Sequence, residues 1–158
     1  MVLTNPDGSR RISNSEQLYF CTLLNSFIAD YSIRQRVSNN LNFFYLYQLP
    51  VPRLTLADAA FAPLVRRAAQ LICTTPEFDA LAKEVSIALK LPAAAVKGVT
   101  DNAVRTRLRA EVDGLIAHMY ALTEVEFSHI LTTFPLVSEP VKLAARNAYR
   151  DVTLGIIK

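Results

Sequence analysis

The sequence predicts a mainly α-helical domain, and three observations carry this prediction. Large apolar residues recur at intervals of three and four along most of the chain, which is the period of a helix with one buried face. Residues that start or stop helices stand at the ends of these stretches, with Thr123 and Glu126 spaced as a capping box. Hydrophobic residues make up 51% of the 158 positions, enough for one core. We therefore expect a single domain built from five or six helices.

The first helix is expected from about Ser15 to Val37, after an irregular lead-in at residues 1–14. Ser13 or Ser15 would cap it, and large apolar side chains share one of its faces. These are Phe20, Leu23, Leu24, Phe27, Ile28 and Tyr31. A short extended aromatic segment at about residues 43–49 follows, because the prolines after it exclude a helix and fix an extended exit.

The remainder of the chain, up to residue 158, continues as helices of the same domain. They are expected at about 55–73, 76–91, 101–122 and 123–134, and from Pro140 onward, with a loop at 90–100. On the helix at 101–122, Arg105, Arg109 and Asp113 follow at intervals of four, as do Arg107 and Glu111. This spacing is typical of ion pairs on a solvated helix face, and we prefer that interpretation to phosphate binding by the arginines.

Composition limits the possible functions. A net charge of +3 and a pI near 9.0 describe a weakly basic chain, far from one that binds nucleic acid by charge alone. Cys21 and Cys73 lie within apolar helix patterns without metal-ligand spacing, so we expect buried free thiols and a reducing compartment. No apolar run approaches the roughly 18 residues of a membrane span. We therefore expect a cytoplasmic protein.

Two blocks of motifs carry a resemblance to a known family. The first holds Leu-Leu-Asn-Ser at 23–26, Asn-Phe-Phe at 42–44 and Gln-Leu-Pro-Val-Pro at 48–52. The second holds Leu-Arg-Ala-Glu-Val-Asp at 108–113, Leu-Ile-Ala-His-Met-Tyr-Ala-Leu-Thr at 115–123 and a segment ending in Phe-Pro at 130–135. In this order they resemble the end of the target recognition region of Eco57I-like adenine-N6 DNA methyltransferases of restriction-modification systems. Ala121 departs from the pattern, since the family commonly has glycine there.

The resemblance implies that this chain is the non-catalytic C-terminal specificity region of a larger enzyme, which would begin well before Met1. S-adenosylmethionine would bind only in the upstream part, and this chain would hold no cofactor. Its residues agree with that expectation, because four glycines cannot build a cofactor turn and Asn5-Pro6 lacks the aromatic residue of an adenine loop. We predict no catalytic residue and no metal site, with His118 and His129 packed or solvated.

The best candidates for DNA contact stand where the first helix is expected to end. They are Arg34, Arg36, Asn39 and Asn40, whose side chains are of the types that read guanine and adenine edges. Tyr45 and Tyr47 could stack on bases, although packing against the first helix is the preferred interpretation.

Two other functions stay open. The chain could be a structural or protein-interaction module that joins the methyltransferase and specificity lobes without contacting DNA. It could also be a stand-alone helical DNA-binding regulator, although Glu124, Glu126 and His129 give the fifth predicted helix the wrong charge for that role.

The expected partners are weakly bound DNA, the upstream methyltransferase or recognition domain and, for the isolated chain, a second copy. The homodimer is expected because Leu18, Cys21 and Ile33 lie off the main apolar face of the first helix and require a cover.

Overall fold

The computed structural model describes residues 12–37 and 40–158, and the prediction of a mainly α fold is confirmed there. These residues form eight α-helices and two short 3-10 turns, with no β-strand among them. The helices are α1 (Asn14–Leu24), α2 (Phe27–Arg34), α3 (Phe43–Tyr47), α4 (Phe61–Ile72), α5 (Asp79–Ala88), α6 (Asn102–Met119), α7 (Glu124–Thr132) and α8 (Glu139–Thr153). The 3-10 turns are Pro76–Phe78 and Ala93–Val96.

The prediction of one long first helix is wrong, because the chain breaks between α1 and α2. Asn25 ends α1, and the extended backbone of Ser26 starts a new helix. The Ser26 hydroxyl accepts a hydrogen bond from the Ala29 amide at 3.2 Å, so this residue acts as an N-cap. One consequence is that Leu24, placed on the buried face by the sequence pattern, is exposed.

The predicted extended aromatic segment is also wrong, because residues 43–47 form the short helix α3. The Asn42 side chain accepts a hydrogen bond from the Tyr45 amide at 3.3 Å and caps this helix. Pro50 follows the last turn, so its missing amide costs the helix nothing. The rings of Phe43 and Tyr47, four residues apart, stack with their centroids 6.0 Å apart.

Local capping chemistry sets several other helix ends as predicted. The capping box of Thr123 and Glu126 is present, and a second one joins Ser13 to Glu16 at the start of α1. The second predicted helix starts later than expected, since the amide of Thr55 donates to Asp58 at 2.7 Å in a turn that precedes α4. Residues 90–100 form the predicted loop, around the 3-10 turn that buries Val96.

The core is built around the pair α6 and α8, which make the most extensive helix-helix contact. Gly114 allows this approach, because a Cβ built at this position would lie only 2.7 Å from the carbonyl carbon of Ala148. Helices α4 and α7 cover the pair and α1 packs on α4, all three with side chains that are almost completely buried. These are Tyr19, Leu23, Phe61, Leu64 and Phe127.

The cysteines differ from the prediction at one position. Cys73 is buried, and burial raises the pKa of its thiol. Cys21 is a free but exposed thiol, so the expectation of burial is wrong there, because Cys21 lies off the core face of α1. Across residues 12–37 and 40–158, every helix is too short or too polar to span a bilayer.

Candidate nucleic-acid interface

Arg34, the first predicted DNA-facing residue, is exposed but already engaged. It ends α2, and its guanidinium donates to both carboxylate oxygens of Asp30, at 2.7 Å and 2.8 Å. The same group lies over the ring of Phe134, 5.0 Å from its centre. The hydrogen bond to Asp30 raises the pKa of Arg34 further, so the charge persists while several donors are occupied.

The other predicted residues do not join Arg34 in one cluster. Arg36 is exposed, and its Nη1 atom folds back onto the Ser32 hydroxyl at 2.8 Å. Asn40 is exposed, whereas Asn39 lies outside the described residues. Arg34 is held by the Asp30 carboxylate and by Phe134, whereas Arg36 bonds only to uncharged groups of Ser32. A DNA contact here would therefore depend on Arg36 and Asn40 rather than on Arg34.

Next to Arg34 lies an open groove of about 700 Å³, with α1 and α2 on one side and α4, α6 and α8 on the other. We call this feature the α2–α6 groove. Arg105, Arg109 and Asp113 of α6 line it together with Asp30 and Arg34 of α2. The sequence predicted a DNA-facing cluster at the end of the first helix and an ion-pairing face on the helix at 101–122. In the fold, Arg34 from the first set lines the same groove as Arg105, Arg109 and Asp113 from the second.

The predicted ion-pairing face of α6 is correct for one pair and wrong for the other three residues. Arg107 and Glu111 pair at 3.4 Å. Arg105 instead donates to the backbone carbonyls of Leu71 and Val99, at 2.9 Å and 2.8 Å, and thereby fixes the loop before α6. Arg109 is exposed, and no described residue bonds or pairs with it.

Glu111 has a second partner that the sequence did not indicate. It accepts a hydrogen bond from Nε of Arg67 at 2.7 Å, and the Arg67 residue is only 3% exposed. Burial lowers the pKa of Arg67, and the contact with Glu111 counteracts that shift. This buried pair joins α4 to α6, so Arg67 belongs to the core.

Asp113 is the most unusual ionisable residue of the groove. It is 8% exposed, and its Oδ1 atom accepts a hydrogen bond from the amide of Phe27 at 3.1 Å. That amide begins α2 and has no partner within its own helix, so the carboxylate satisfies a free helix end. Burial raises the pKa of Asp113 to about 7, although the Phe27 amide opposes the shift.

Two tyrosines hold the Pro50–Pro52 segment, and one of them, Tyr120, connects the two motif blocks. The hydroxyl of Tyr120, in the second block, donates to the carbonyl of Pro50 in the first block at 2.6 Å. The hydroxyl of Tyr19 on α1 donates to the carbonyl of Pro52 at 2.8 Å. Burial raises the pKa of Tyr19 to about 12, which keeps this hydroxyl protonated as a donor. Residues that lie 70 positions apart in the sequence are thus in direct contact.

The α3 helix presents an exposed apolar patch that we call the aromatic surface. Phe43, Phe44 and Tyr47 are exposed by 64%, 66% and 74%, and Leu41 beside them is also exposed. The predicted packing against the first helix is therefore wrong for Tyr47, which stacks on Phe43 instead. A patch of aromatic rings on a small domain is typical of a surface that another macromolecule covers.

Comparison with known proteins adds no family to these observations. No family model, no curated protein and no solved structure matches this chain. His118 and His129 are both exposed, and no group of three or more metal-ligating side chains occurs within the part of the chain that the structure describes.

Proposed function

We propose that this chain is the non-catalytic C-terminal specificity region of a restriction-modification adenine-N6 DNA methyltransferase, where it supports the domain that recognises DNA. One observation carries the proposal. The motif blocks that resemble this family are distant in sequence, yet they meet through the hydrogen bond from Tyr120 to Pro50. Such a contact places the two blocks in one structural unit, which agrees with their joint resemblance to this region.

The proposed role is mechanical. The Pro50–Pro52 segment, held by Tyr19 and Tyr120, fixes where the chain leaves α3. The aromatic surface of α3 would pack against the upstream recognition domain, and Arg36 and Asn40 at the adjoining loop would contact the DNA backbone. S-adenosylmethionine and the methyl-transfer chemistry would belong to the upstream part of the enzyme.

The DNA contact is tested by titrating a labelled duplex with the isolated chain at a series of salt concentrations. We expect weak binding that falls steeply with salt, because phosphate contacts release counterions. Arg36→Ala should reduce the affinity a few-fold. Arg107→Ala is the matched control, since this exposed arginine pairs with Glu111 on another face and should leave binding unchanged. Absence of binding at low salt would exclude direct DNA contact.

A second candidate function is a structural module that joins the lobes of the enzyme without contacting DNA. The engagement of Arg34 by Asp30 and Phe134 favours it, because this arginine is the least available for phosphate. In this case Phe44→Glu should abolish association with a separately expressed upstream fragment, while Arg36→Ala should not. An upstream reading frame without an Asn-Pro-Pro-Tyr-like motif would contradict both candidates.

A further inference from the structure

The segment that follows α8 turns back onto the domain instead of leading away from it. The amides of Ile156 and Ile157 both donate to the carbonyl of Asp151, at 2.8 Å and 3.2 Å. Ile157 is half-buried and packs against the core, whereas Leu154 and Ile156 are 73% and 69% exposed. Ile157 is therefore the main apolar anchor of this segment.

The segment forms one wall of an open cleft of about 680 Å³ between α4, α6 and α8, which we call the α4–α8 cleft. Arg67 lines this cleft and is only 3% exposed. Its Nε atom donates to Glu111, and its Nη1 atom donates to the carbonyls of Pro63 and Lys158, at 3.2 Å and 3.3 Å. A buried guanidinium requires such acceptors, because an unpaired buried donor costs free energy. The Lys158 carbonyl is thus a second anchor of the segment.

The rest of the lining does not hold the segment. Apart from Arg67 and Lys158, its polar side chains are Arg66, Thr106, Arg107, Glu111, Asn147 and Asp151, and the remainder are alanines of α6 and α8 and the segment itself. Glu111 pairs with Arg67 and Arg107. No side chain of this polar set hydrogen-bonds to residues 156–158 within the part of the chain that the structure describes. The segment is therefore held by few contacts.

Gly155 gives the segment a point of rotation. Its φ is 72°, and no atom lies within 4 Å of a Cβ built there. Because glycine adopts positive and negative φ with similar ease, rotation at this residue can move residues 156–158 while α8 stays in place. A segment with so few anchors is expected to open locally, at a free energy far below that of global unfolding.

We propose that residues 156–158 are a detachable latch on the α4–α8 cleft, and that the open cleft accepts this same kind of segment. In the closed state, Ile157 packs on the domain and the Lys158 carbonyl accepts from Arg67. In the open state, Arg67 lacks that acceptor. The site then fits an extended peptide with an apolar side chain one residue before the carbonyl that Arg67 binds.

The bonds of Arg67 favour a peptide over a small anion as the occupant. Its charge is already paired with the Glu111 carboxylate at 2.7 Å, and what the latch adds is a backbone carbonyl next to an apolar side chain. The inference does not require the function proposed above, because the latch and the cleft belong to this chain alone.

The test offers the latch in trans, as a fluorescent, amidated peptide with the sequence of residues 154–158. Binding to the whole chain is followed by fluorescence anisotropy. The wild type should bind the peptide weakly, because its own latch competes at a high effective concentration. Ile157→Asp, which removes the apolar anchor, should bind it about tenfold or more tightly, and the uncharged variant Ile157→Ser should do the same. Ile157 is only half-buried, so both variants should fold.

Two matched controls use the same segment. Leu154→Asp changes an exposed residue that does not line the cleft, so this variant should bind the peptide as weakly as the wild type. The peptide that carries aspartate in place of Ile157 should bind to none of the proteins. Equal binding of both peptides would show non-specific adsorption and would overturn the inference.

NMR measures the latch directly. The Nε–H signal of Arg67 should shift in Ile157→Asp and return towards its wild-type position when the peptide is added. In the wild type, the Ile156 amide should exchange with solvent far faster than the amide of Ile116, which lies in the core. Equal exchange rates of these amides would show that the segment does not detach. Folded Ile157 variants that bind the peptide no better than the wild type would also refute the latch.

Discussion

The end of α6 contains a residue whose backbone conformation disfavours its own side chain. Ala121 has φ of 53°, in the left-handed region that favours glycine. The amide of Ala121 donates to the His118 carbonyl at 2.9 Å, and the amide of Leu122 donates to the Ala117 carbonyl at 3.1 Å. These two bonds form the common left-handed helix cap, which requires this φ. Replacing Ala121 with glycine should therefore stabilise the protein.

The expected gain follows from two opposing terms. A left-handed conformation costs a residue with a Cβ about 1–2 kcal/mol. Glycine loses about 0.5–1 kcal/mol more than alanine in chain entropy on folding. The difference predicts that Ala121→Gly raises the free energy of unfolding by about 0.5–1 kcal/mol. For a chain of this length, Tm should rise by about 1–4 °C.

The chain provides its own comparisons for this experiment. Helix α8 ends with the same pair of hydrogen bonds around Gly155, where φ is 72° and no atom lies within 4 Å of a Cβ. Gly155→Ala should thus lower Tm through conformation alone. Helix α5 ends in the same way at Lys90, where φ is 54°, so Lys90→Gly should raise it. Ala82→Gly, inside α5, should cost about 1 kcal/mol.

Thermal and urea unfolding of these variants measure the effect. The Tm of Ala121→Gly should be higher than that of the wild type, and the Tm of Gly155→Ala should be lower by a similar amount. Suppose that Ala121→Gly were no more stable than the wild type, while Ala82→Gly were less stable than the wild type by about 1 kcal/mol, as expected. Residue 121 would then not be left-handed in solution. The account of the helix end would then be refuted.

Three other expectations concern buried charge, helix packing and association. Because the pKa of Asp113 is raised to about 7, its ionisation destabilises the fold as pH rises from about 4 to 7. In urea unfolding, the free energy of unfolding of Asp113→Asn should exceed that of the wild type at pH 8, by at most about 4 kcal/mol. The two values should match near pH 4. A pH-independent gain would contradict this. Gly114→Ala should cost about 1–3 kcal/mol in calorimetry by pushing α6 from Ala148, and an unchanged Tm would refute that close approach. Light scattering should show that the isolated chain self-associates and that Phe44→Glu abolishes the association. The control Val125→Glu, at an exposed position of α7, should leave the association unchanged. A strictly monomeric wild type would exclude association.

The predicted dimer now rests on different residues. The sequence placed it on the first predicted helix, at about 15–37, because Leu18, Cys21 and Ile33 lie off the main apolar face of that helix. Leu18 is 5% exposed, and the chain's own core covers it. The large exposed rings lie on α3 instead, which is why the association test targets Phe44.

What the sequence predicted well depends on interactions over three or four residues. The capping box of Thr123 and Glu126 spans three positions, so it is legible in the sequence and present in the structure. The apolar period likewise predicted where helices occur. The break at Ser26 was missed although its capping bond is local, because the large residues on both sides preserve a helical period across it.

What the sequence did not predict depends on contacts across the fold. The bond between Asp113 and Phe27 joins residues 86 positions apart, and that of Arg67 and Glu111 joins residues 44 positions apart. Both acids stood in a pattern typical of a solvated face, and only the packing of α6 against its neighbours decides that they are enclosed. Charge spacing on one helix cannot reveal which of its faces is covered.

The position of Asp113 links the groove to the loop proposed to face DNA. Helix α2 has only eight residues, too few to be stable alone, so contacts at its ends must hold it. Asp113 holds its first amide, and Phe134 packs against the Phe27 ring at 4.9 Å and beneath the Arg34 guanidinium at the last turn. Arg36 follows directly, so its position depends on how α2 is anchored. Ionisation or replacement of Asp113 would therefore act on the same short helix that positions Arg36, and the anchoring of α2 and the geometry of this loop should be coupled.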